Sequence, residues 1–448
     1  MAQLALTDIE RETLKANYPA VFEKSFWQRH GIAIGVAVTV VYLAFCFVFF
    51  NVGSVISEGR WDRAGAYLQD WYSWRAQPRL KLAPGEPVEI AWNSRAQYRT
   101  DEPIDWLFTN PDGSVTATFG SYADRIVVTP EVVTVYLGGT PHEVTLGPDG
   151  ATMPQDAPGA MTFKTDKVLV DFGFAGSAEI RGTQVYIQRR FLGWANFWFD
   201  TKSAFWDMGL PQVVWTIVAG ERIDPNMSNL ELAWDDFLGN SVWQHADILS
   251  KLGQTIVMAF VGTLLGTLVA APLAFIAARN ITPNAAANWM MKRVFDLLRS
   301  IDMLIWALFF TRSFGPGPIP GIAAIFFTDT GALGKVYAEA LENIDDKERE
   351  GVKSVGAHML TVQRYGVVPQ VLPVFISQSL YFWESNIRSA TVIGAVGAGG
   401  IGLKLLEAMK TNADWDKVAY MVVLILIVVF VFDNISNALR SRLIGAKH

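Results

Sequence analysis

The sequence predicts a mainly α-helical polytopic membrane protein of about six spans, with a small antiparallel β domain inserted between the first span and the second. Three observations predict it. Apolar residues gather into long runs with few or no charges. Only 18% of the 448 residues are charged, against about a quarter in soluble proteins. Between the first two apolar runs, the pattern changes to short β-branched segments separated by turn residues.

A helix needs about 20 apolar residues to cross a hydrocarbon core ~30 Å thick. Residues 31–52 (GIAIGVAVTVVYLAFCFVFFNV) carry no charge. They begin too far into the chain and run too long for a secretory h-region, and no small-residue cleavage site follows, so they read as a retained first span. Further spans are predicted at 254–277 and at about 298–314, 319–336, 374–396 and 418–432. The third is short and contains Asp302 and Arg312, and the fifth is unusually polar.

Lys and Arg in short flanks set orientation. Arg11, Lys15, Lys24 and Arg29 precede the first span, and Arg279, Lys292 and Arg293 follow the second. Lys335, Lys347, Arg349, Lys353 and Arg364 surround the link from fourth to fifth, and Arg440, Arg442 and Lys447 follow the sixth. Six spans place all of these in the cytoplasm, with Lys404, Lys410 and Lys417 dissenting. The expected organisation is a cytoplasmic tail at 1–30 and a first span at 31–53, then an extracytoplasmic insert at 54–250. A five-span core at 251–440, with a cytoplasmic loop at 337–373, and a tail at 441–448 complete it.

Within the insert, residues 60–74 suit an amphipathic helix on the membrane surface. Asn110-Pro111-Asp112-Gly113 reads as a turn, and Gly138-Gly139 as a two-residue hairpin loop between 132–137 and 142–146. The β core is expected at about 85–190. Trp61, Trp71, Trp74, Trp194, Trp198, Trp206 and Trp215 flank it, either as anchors at the membrane boundary or as aromatic core.

Several function classes are excluded. The net charge is -6 and no basic run could track a nucleic-acid backbone. Cys46 is the single cysteine, so it forms neither an internal disulfide nor a thiolate cage, and no two of the five histidines share ligand spacing. No Gly-x4-Gly-Lys-[Ser/Thr] segment is present, so ATP hydrolysis belongs to another chain. No nucleophile–base constellation suggests an enzyme.

Residues 339–373 read EALENIDDKEREGVKSVGAHMLTVQRYGVVPQVLP. The composition is helical up to Val355, breaks at Gly356 and resumes, and Pro369 and Pro373 are expected to stop the second helix before the next span. This segment resembles the cytoplasmic loop of permeases of binding-protein-dependent ABC importers: Glu-Ala-Ala, three residues, Gly, nine residues, an aliphatic, one residue, Leu-Pro. Glu350-Gly351-Val352 stands at the Glu-Ala-Ala position, Gly356 at the expected offset and Val368-Pro369 at the end, with departures from the pattern at Gly351, Val352 and Gly366. Residues 379–402 (SLYFWESNIRSATVIGAVGAGGIG) resemble the signature of the phosphonate-importer permeases. The likeness runs from about residue 240 to the C-terminus and leaves out the β insert.

The resemblance implies a bacterial inner-membrane permease with both termini cytoplasmic, importing phosphonate or a related phosphorus oxyanion. It implies a cytoplasmic ABC ATPase dimer that binds ATP and magnesium, an extracytoplasmic phosphonate-binding protein, and a second permease copy or homologue. It assigns ATPase coupling to Glu350, Gly351, Gly356 and Pro369, and no cofactor to this chain. Alternatives are a permease for another solute, such as methionine or a quaternary amine, and a ligand-sensing or secondary-transport protein.

Glu384 lies about ten residues into the fifth span, roughly 15 Å deep. A charge there costs about 2.5–3.5 kcal/mol on insertion scales and persists only when paired or wet. Ser377, Tyr381, Glu384, Arg388 and Thr391 share one helical face, with Glu384 and Arg388 in the favourable order for an ion pair. Either Arg388 helps an anion cross, or Glu384 neutralises it and the pair fixes packing between two permeases. Gly394, Gly397, Gly399, Gly400 and Gly402 follow. Gly397–Gly402 spells Gly-x-Gly-x-x-Gly, but without a preceding strand it reads as a gate or close helix contact, not a nucleotide site.

Overall fold

The computed structural model describes residues 17, 26–59, 61–83, 85–92, 104–147, 150–411 and 415–445. It comprises two compact units, Met1–Ala66 and Tyr67–His448. Arg11, Lys15, Lys24 and Lys447, on which part of the orientation argument rests, lie outside the described residues.

In the first unit, α1 (Phe26–Phe49) contains the first predicted span. Asn51, at φ 53°, separates it from α2 (Val52–Glu58). The amphipathic helix expected at 60–74 is α3 (Trp61–Asp70) and stops earlier. The chain enters β1 (Ser73–Ala76) almost at once.

The β domain therefore begins before residue 85. β1 and β2 (Arg79–Lys81) escape a periodicity reading because they are short and separated by Pro78. β3 (Glu89–Ala91), β4 (Leu107–Thr109), β5 (Val115–Phe119), β6 (Ser121–Val128), β7 (Val132–Leu137), β8 (Thr140–Gly147) and β9 (Gly150–Thr152) follow. β10 (Met161–Lys164), β11 (Lys167–Asp171), β12 (Gly176–Ile180) and β13 (Gln184–Leu192) complete the set.

One sheet is a simple meander, β4-β5-β6-β7-β8-β9; the other has the order β10-β11-β12-β13-β2-β3, with β1 also on β13. Among the described residues every strand pair is antiparallel, and inward residues of both sheets, among them Leu80, Ile180, Val115 and Ile126, form one core. This is a sandwich. The Gly138-Gly139 loop joins Leu137 directly to its partner Thr140, and both glycines have positive φ (58° and 88°), as a two-residue turn of matching twist requires. Because Ser73 pairs with Leu192, the domain's entry and exit lie side by side.

Residues 193–244 strap the sandwich to the helical core and contain α4 (Leu210–Ala219) and α5 (Asn229–Leu238). Trp194 Nε1 donates to the Trp71 carbonyl at 2.8 Å, and Trp243 Nε1 to the Ala195 carbonyl at 2.8 Å. Burial works to raise the Asp200 carboxyl. The Ser241 hydroxyl (2.7 Å), the Ser241 N–H and the Lys202 N–H outweigh it and hold the group below its ordinary range. Of the flanking tryptophans, Trp194 packs on Trp243 and Tyr420, and Trp74 stacks on Phe191, both as aromatic core. Trp198 and Trp215 remain exposed.

The helical core consists of α6 (His245–Ala277), α7 (Ala285–Ser300), α8 (Met303–Phe314), α9 (Pro318–Glu342), α10 (Asp346–Ser354), α11 (Met359–Val362), α12 (Val368–Ile393), α13 (Gly400–Lys410) and α14 (Trp415–Gly445). α6 and α9 run parallel: a Cβ on Gly262 would stand 2.7 Å from Ile325, and one on Gly266 2.9 Å from Asp329. α12 runs antiparallel to α6, with Ser379 against Thr267 and Asn386 against Thr263. The third predicted span, 298–314, is broken at Ile301-Asp302, because Asp302 caps α8 by accepting the Leu304 N–H at 2.8 Å.

Among the described residues, three helices are long and apolar enough to cross a membrane: His30–Phe49, His245–Ala277 and Trp415–Arg442. A fourth arises if Met359–Ala398 and Gly400–Lys410, bent by 59°, count as one. The protein is thus a mainly helical membrane protein with a β domain inserted between its early helices.

Candidate functional site

At one end of the core, α10 and α11 form an elbow. Asp345 caps α10 by accepting the Lys347 N–H at 3.0 Å, a break between α9 and α10 that helical composition did not reveal. Gly356 turns the chain at φ +77°, a conformation that favours glycine. Around it, Val355 is 81% exposed, Leu360 75% and Met359 55%. Glu350 and Gly351 are exposed beside them.

The two glycine departures from the permease pattern have different physical standing. Nothing lies within 4 Å of where a Gly351 Cβ would stand, whereas one on Gly366 would meet the Arg349 Cα at 3.2 Å. Gly366 thus lets α10 approach the chain leading into α12.

The prolines do not stop the helix as expected. From Met359 the chain stays helical through a wide turn at Gln363–Val367 and on into α12. Pro369 sits in the first turn of α12, where a missing N–H leaves little unsatisfied, and Pro373 is absorbed inside the helix. Gln370 ties this start to the elbow, accepting the Asp345 N–H at 3.2 Å and donating to the Gly366 carbonyl at 2.6 Å. Arg349 Nη1 donates to the Asn280 carbonyl at 2.9 Å, anchoring α10 to the loop after α6.

α12 has two polar faces, and the sequence reading found one. The buried face carries Ser379 and Asn386. Asn386 Nδ2 donates to Asp329 Oδ2 at 2.6 Å and to Thr263 Oγ1 at 2.7 Å. All three residues are buried. Two turns toward the elbow, the Ser379 hydroxyl shares a 2.7 Å hydrogen bond with Tyr337 and accepts from Thr267 at 3.0 Å. The Tyr337 ring stacks on Phe375 at 3.9 Å. These bonds fasten α12 to α6 and α9.

The other face carries Ser377, Tyr381, Glu384, Arg388 and Thr391. Tyr381 and Arg388 are exposed and the rest are half-buried. Glu384 Oε1 stands 3.4 Å from Arg388 Nη2, as the spacing predicts, but Oε2 accepts from Arg440 Nη2 of α14 at 3.1 Å. Asp433, also of α14, lies 3.7 Å from Arg388. Thr391 donates to the Ile387 carbonyl at 3.3 Å and makes no bond to this network among the described residues. Asp433 and Arg440 were missed because the sixth span was ended at residue 432, while α14 continues to Gly445. Their spacing of two helical turns was the available signal.

Beyond Ile393 the glycine segment turns the chain into α13. Gly397, Gly399 and Gly400 have φ of +98°, +83° and +68°. A side chain on Gly399 would stand 2.8 Å from the Gly317 carbonyl carbon, and one on Gly397 2.9 Å from Thr311 Cγ2. Gly394 and Gly402 face each other, with 2.9 Å from a Gly394 Cβ to the Gly402 Cα. A methyl on Gly402 would overlap the Thr391 carbonyl oxygen. Gln254 Oε1 accepts the Gly400 N–H at 3.1 Å and Thr255 Oγ1 the Ile401 N–H at 2.8 Å, so side chains of α6 cap α13. Lys404 on α13, one of the dissenting basic residues, is paired with Asp247 at 2.6 Å.

Residues 270–445 match the family model described as binding-protein-dependent transport system inner membrane component. The phosphite transport system permease protein of Stutzerimonas stutzeri is 33% identical over 234 residues, 52% of this chain and 78% of that protein. The phosphate-import permease protein of Mycolicibacterium smegmatis is 34% identical over 198 residues, 44% of this chain and 37% of that longer relative. A chain of the solved inward-facing MetNI methionine ABC transporter aligns at 19% identity and TM-score 0.39, over 44% of this chain and 95% of that one.

Proposed function

Because this chain belongs to the family of binding-protein-dependent transport system inner membrane components, and so is the permease subunit of an ABC importer for a small solute, we propose that its cargo is a phosphonate or a related phosphorus oxyanion. As a transport subunit it is not an enzyme, and it works in the inner membrane with a separate ATPase and a binding protein. The relatives named for phosphite and phosphate import support the oxyanion reading.

The observation that carries the reading is Arg388. It lies in the last two turns of α12, two residues beyond Asn386, which bonds Thr263 of α6, and its side chain is 58% exposed. A guanidinium there cannot face hydrocarbon, so it faces a wet pathway or a second permease. It suits a multivalent oxyanion, whose desolvation it offsets through paired N–H donors.

Six crossings follow if α7 and α8 together form one crossing, α9 forms another, and α12 with α13 a third, joining α1, α6 and α14. Both termini and the elbow then lie in the cytoplasm, and the β sandwich lies outside. Glu350, Gly351 and Gly356 belong to the elbow, whose exposed Val355, Met359 and Leu360 dock on the ATPase, and Pro369 opens α12, the helix the elbow drives. Closure of the ATPase dimer pushes α10. Gln370 passes that push to α12, and the bonds of Ser379 and Asn386 pass it to α6 and α9. The glycine turn at 394–402 serves as the hinge or gate at the outer end. The sandwich, strapped to the start of α6, docks the binding protein or a second permease, or caps the outer mouth.

The test is uptake by Arg388→Gln. Transport falls while the permease still binds its ATPase. Uptake at the wild-type rate removes Arg388 from the pathway.

A further inference from the structure

The four ionisable side chains between α12 and α14 do not form two equal ion pairs, and the Glu384 and Asp433 carboxyls also contact each other. Glu384 is the well-held member: its side chain is 12% exposed, and its tighter contact is with Arg440 Nη2 at 3.1 Å. Arg440 is itself well placed, 24% exposed, donating to Asn437 Oδ1 at 2.8 Å, with its guanidinium 5.8 Å from the Tyr381 ring centre. Arg388 is the loosely held member, at 3.4 Å from Glu384 and 3.7 Å from Asp433. Charge-assisted N–H···O bonds are ordinarily about 2.7–2.9 Å, so both of its contacts are weak. In a low-dielectric setting a carboxylate takes the nearest cation available to it. Without Arg440, Glu384 would turn wholly to Arg388.

We infer that Arg440 is a positioning residue for solute passage: by engaging Glu384 it keeps Arg388 available to a phosphorus oxyanion, while Asp433 is the weak acceptor that Arg388 leaves when the anion arrives. This rests on the oxyanion reading above. The anion displaces a carboxylate contact at 3.7 Å, not a tight bidentate pair. The guanidinium therefore presents donors without a large cost of breaking a bond, and the anion can leave again.

The test uses the complete transporter with its ATPase and binding protein in nanodiscs. Two quantities are read: the concentration of methylphosphonate or phosphite, whichever the binding protein takes, that half-maximally stimulates ATP hydrolysis, and the melting temperature without solute. Arg440→Gln raises the half-maximal concentration about tenfold, and Arg440→Gln with Glu384→Gln returns it to within about twofold of wild type. Arg440→Lys, which keeps the charge, stays near wild type and guards against a folding failure. Without solute, Arg388→Gln lowers the melting temperature by several degrees more in the Arg440→Gln background than in wild type, because Glu384 then depends on Arg388. Absence of that thermal coupling, or a double variant no better than Arg440→Gln alone, overturns the inference. Thermal coupling with a half-maximal concentration unmoved even by Arg388→Gln leaves the ion-pair exchange standing and defeats the oxyanion reading instead.

Discussion

Asn386 on α12 reaches Asp329 on α9 at 2.6 Å, in the interior of the helical core, with the same amide nitrogen 2.7 Å from Thr263 on α6. Three helices thus meet at one side chain. Asp329 is 1% exposed, so when Asn386 is lost its carboxyl is left with Thr263 alone and no recourse to water.

Asn386→Leu therefore destabilises the permease by about 2–3 kcal/mol, the cost of stranding a buried polar group. Adding Asp329→Leu recovers part of the loss, since removing both partners costs less than removing one. Thermal unfolding of the purified permease measures both. A double variant that unfolds earlier than either single one would show that the helices are held elsewhere.

The glycine turn predicts a contrast between two substitutions of the same kind. Gly402→Ala forces a methyl into the Thr391 carbonyl, and backbone atoms cannot rotate away. The loss is about 3 kcal/mol or more, with transport abolished. Gly351→Ala places its methyl in open space and brings the segment closer to the family's Glu-Ala pattern, so stability and uptake stay at wild-type levels. Expression level, melting temperature and uptake of the two variants decide it.

The fold was legible where one local signal sufficed. Gly138-Gly139 specified its turn, Gly356 specified the break in the elbow, and the uncharged run of α1 specified a membrane-length helix. The site was legible only in part. Spacing alone put Glu384 beside Arg388, but spacing within one helix cannot show that Arg440 on another helix binds Glu384 more closely. Asp329 and Asn386 were invisible for the same reason, since their significance lies in a contact between residues 57 positions apart. Pro369 misled because a proline that ends one helix and a proline that begins the next look alike in sequence.

Asp200 makes the strap between the sandwich and α6 sensitive to acid. Its carboxyl titrates lower in the folded protein than in the unfolded chain, because Ser241 and Lys202 N–H groups outweigh burial. Its contribution is fully present above the unfolded value of about 3.9 and is lost as pH falls through the lower folded value. The protection factors of the amides at residues 239–244 should therefore fall below about pH 4 in the wild type. Asp200→Asn should exchange faster at neutral pH and show no further acid step of its own. An unchanged acid step in that variant would assign it to another group.

The account depends most on the elbow between α10 and α11 lying inside the cell against a motor protein. Leu360→Cys in a Cys46→Ser background offers one exposed thiol at its tip. A membrane-impermeant maleimide should label it in inverted vesicles stripped of the ATPase, lose that labelling when the ATPase is restored, and leave intact spheroplasts unlabelled. Labelling of spheroplasts from outside, or labelling indifferent to the ATPase, would contradict the account.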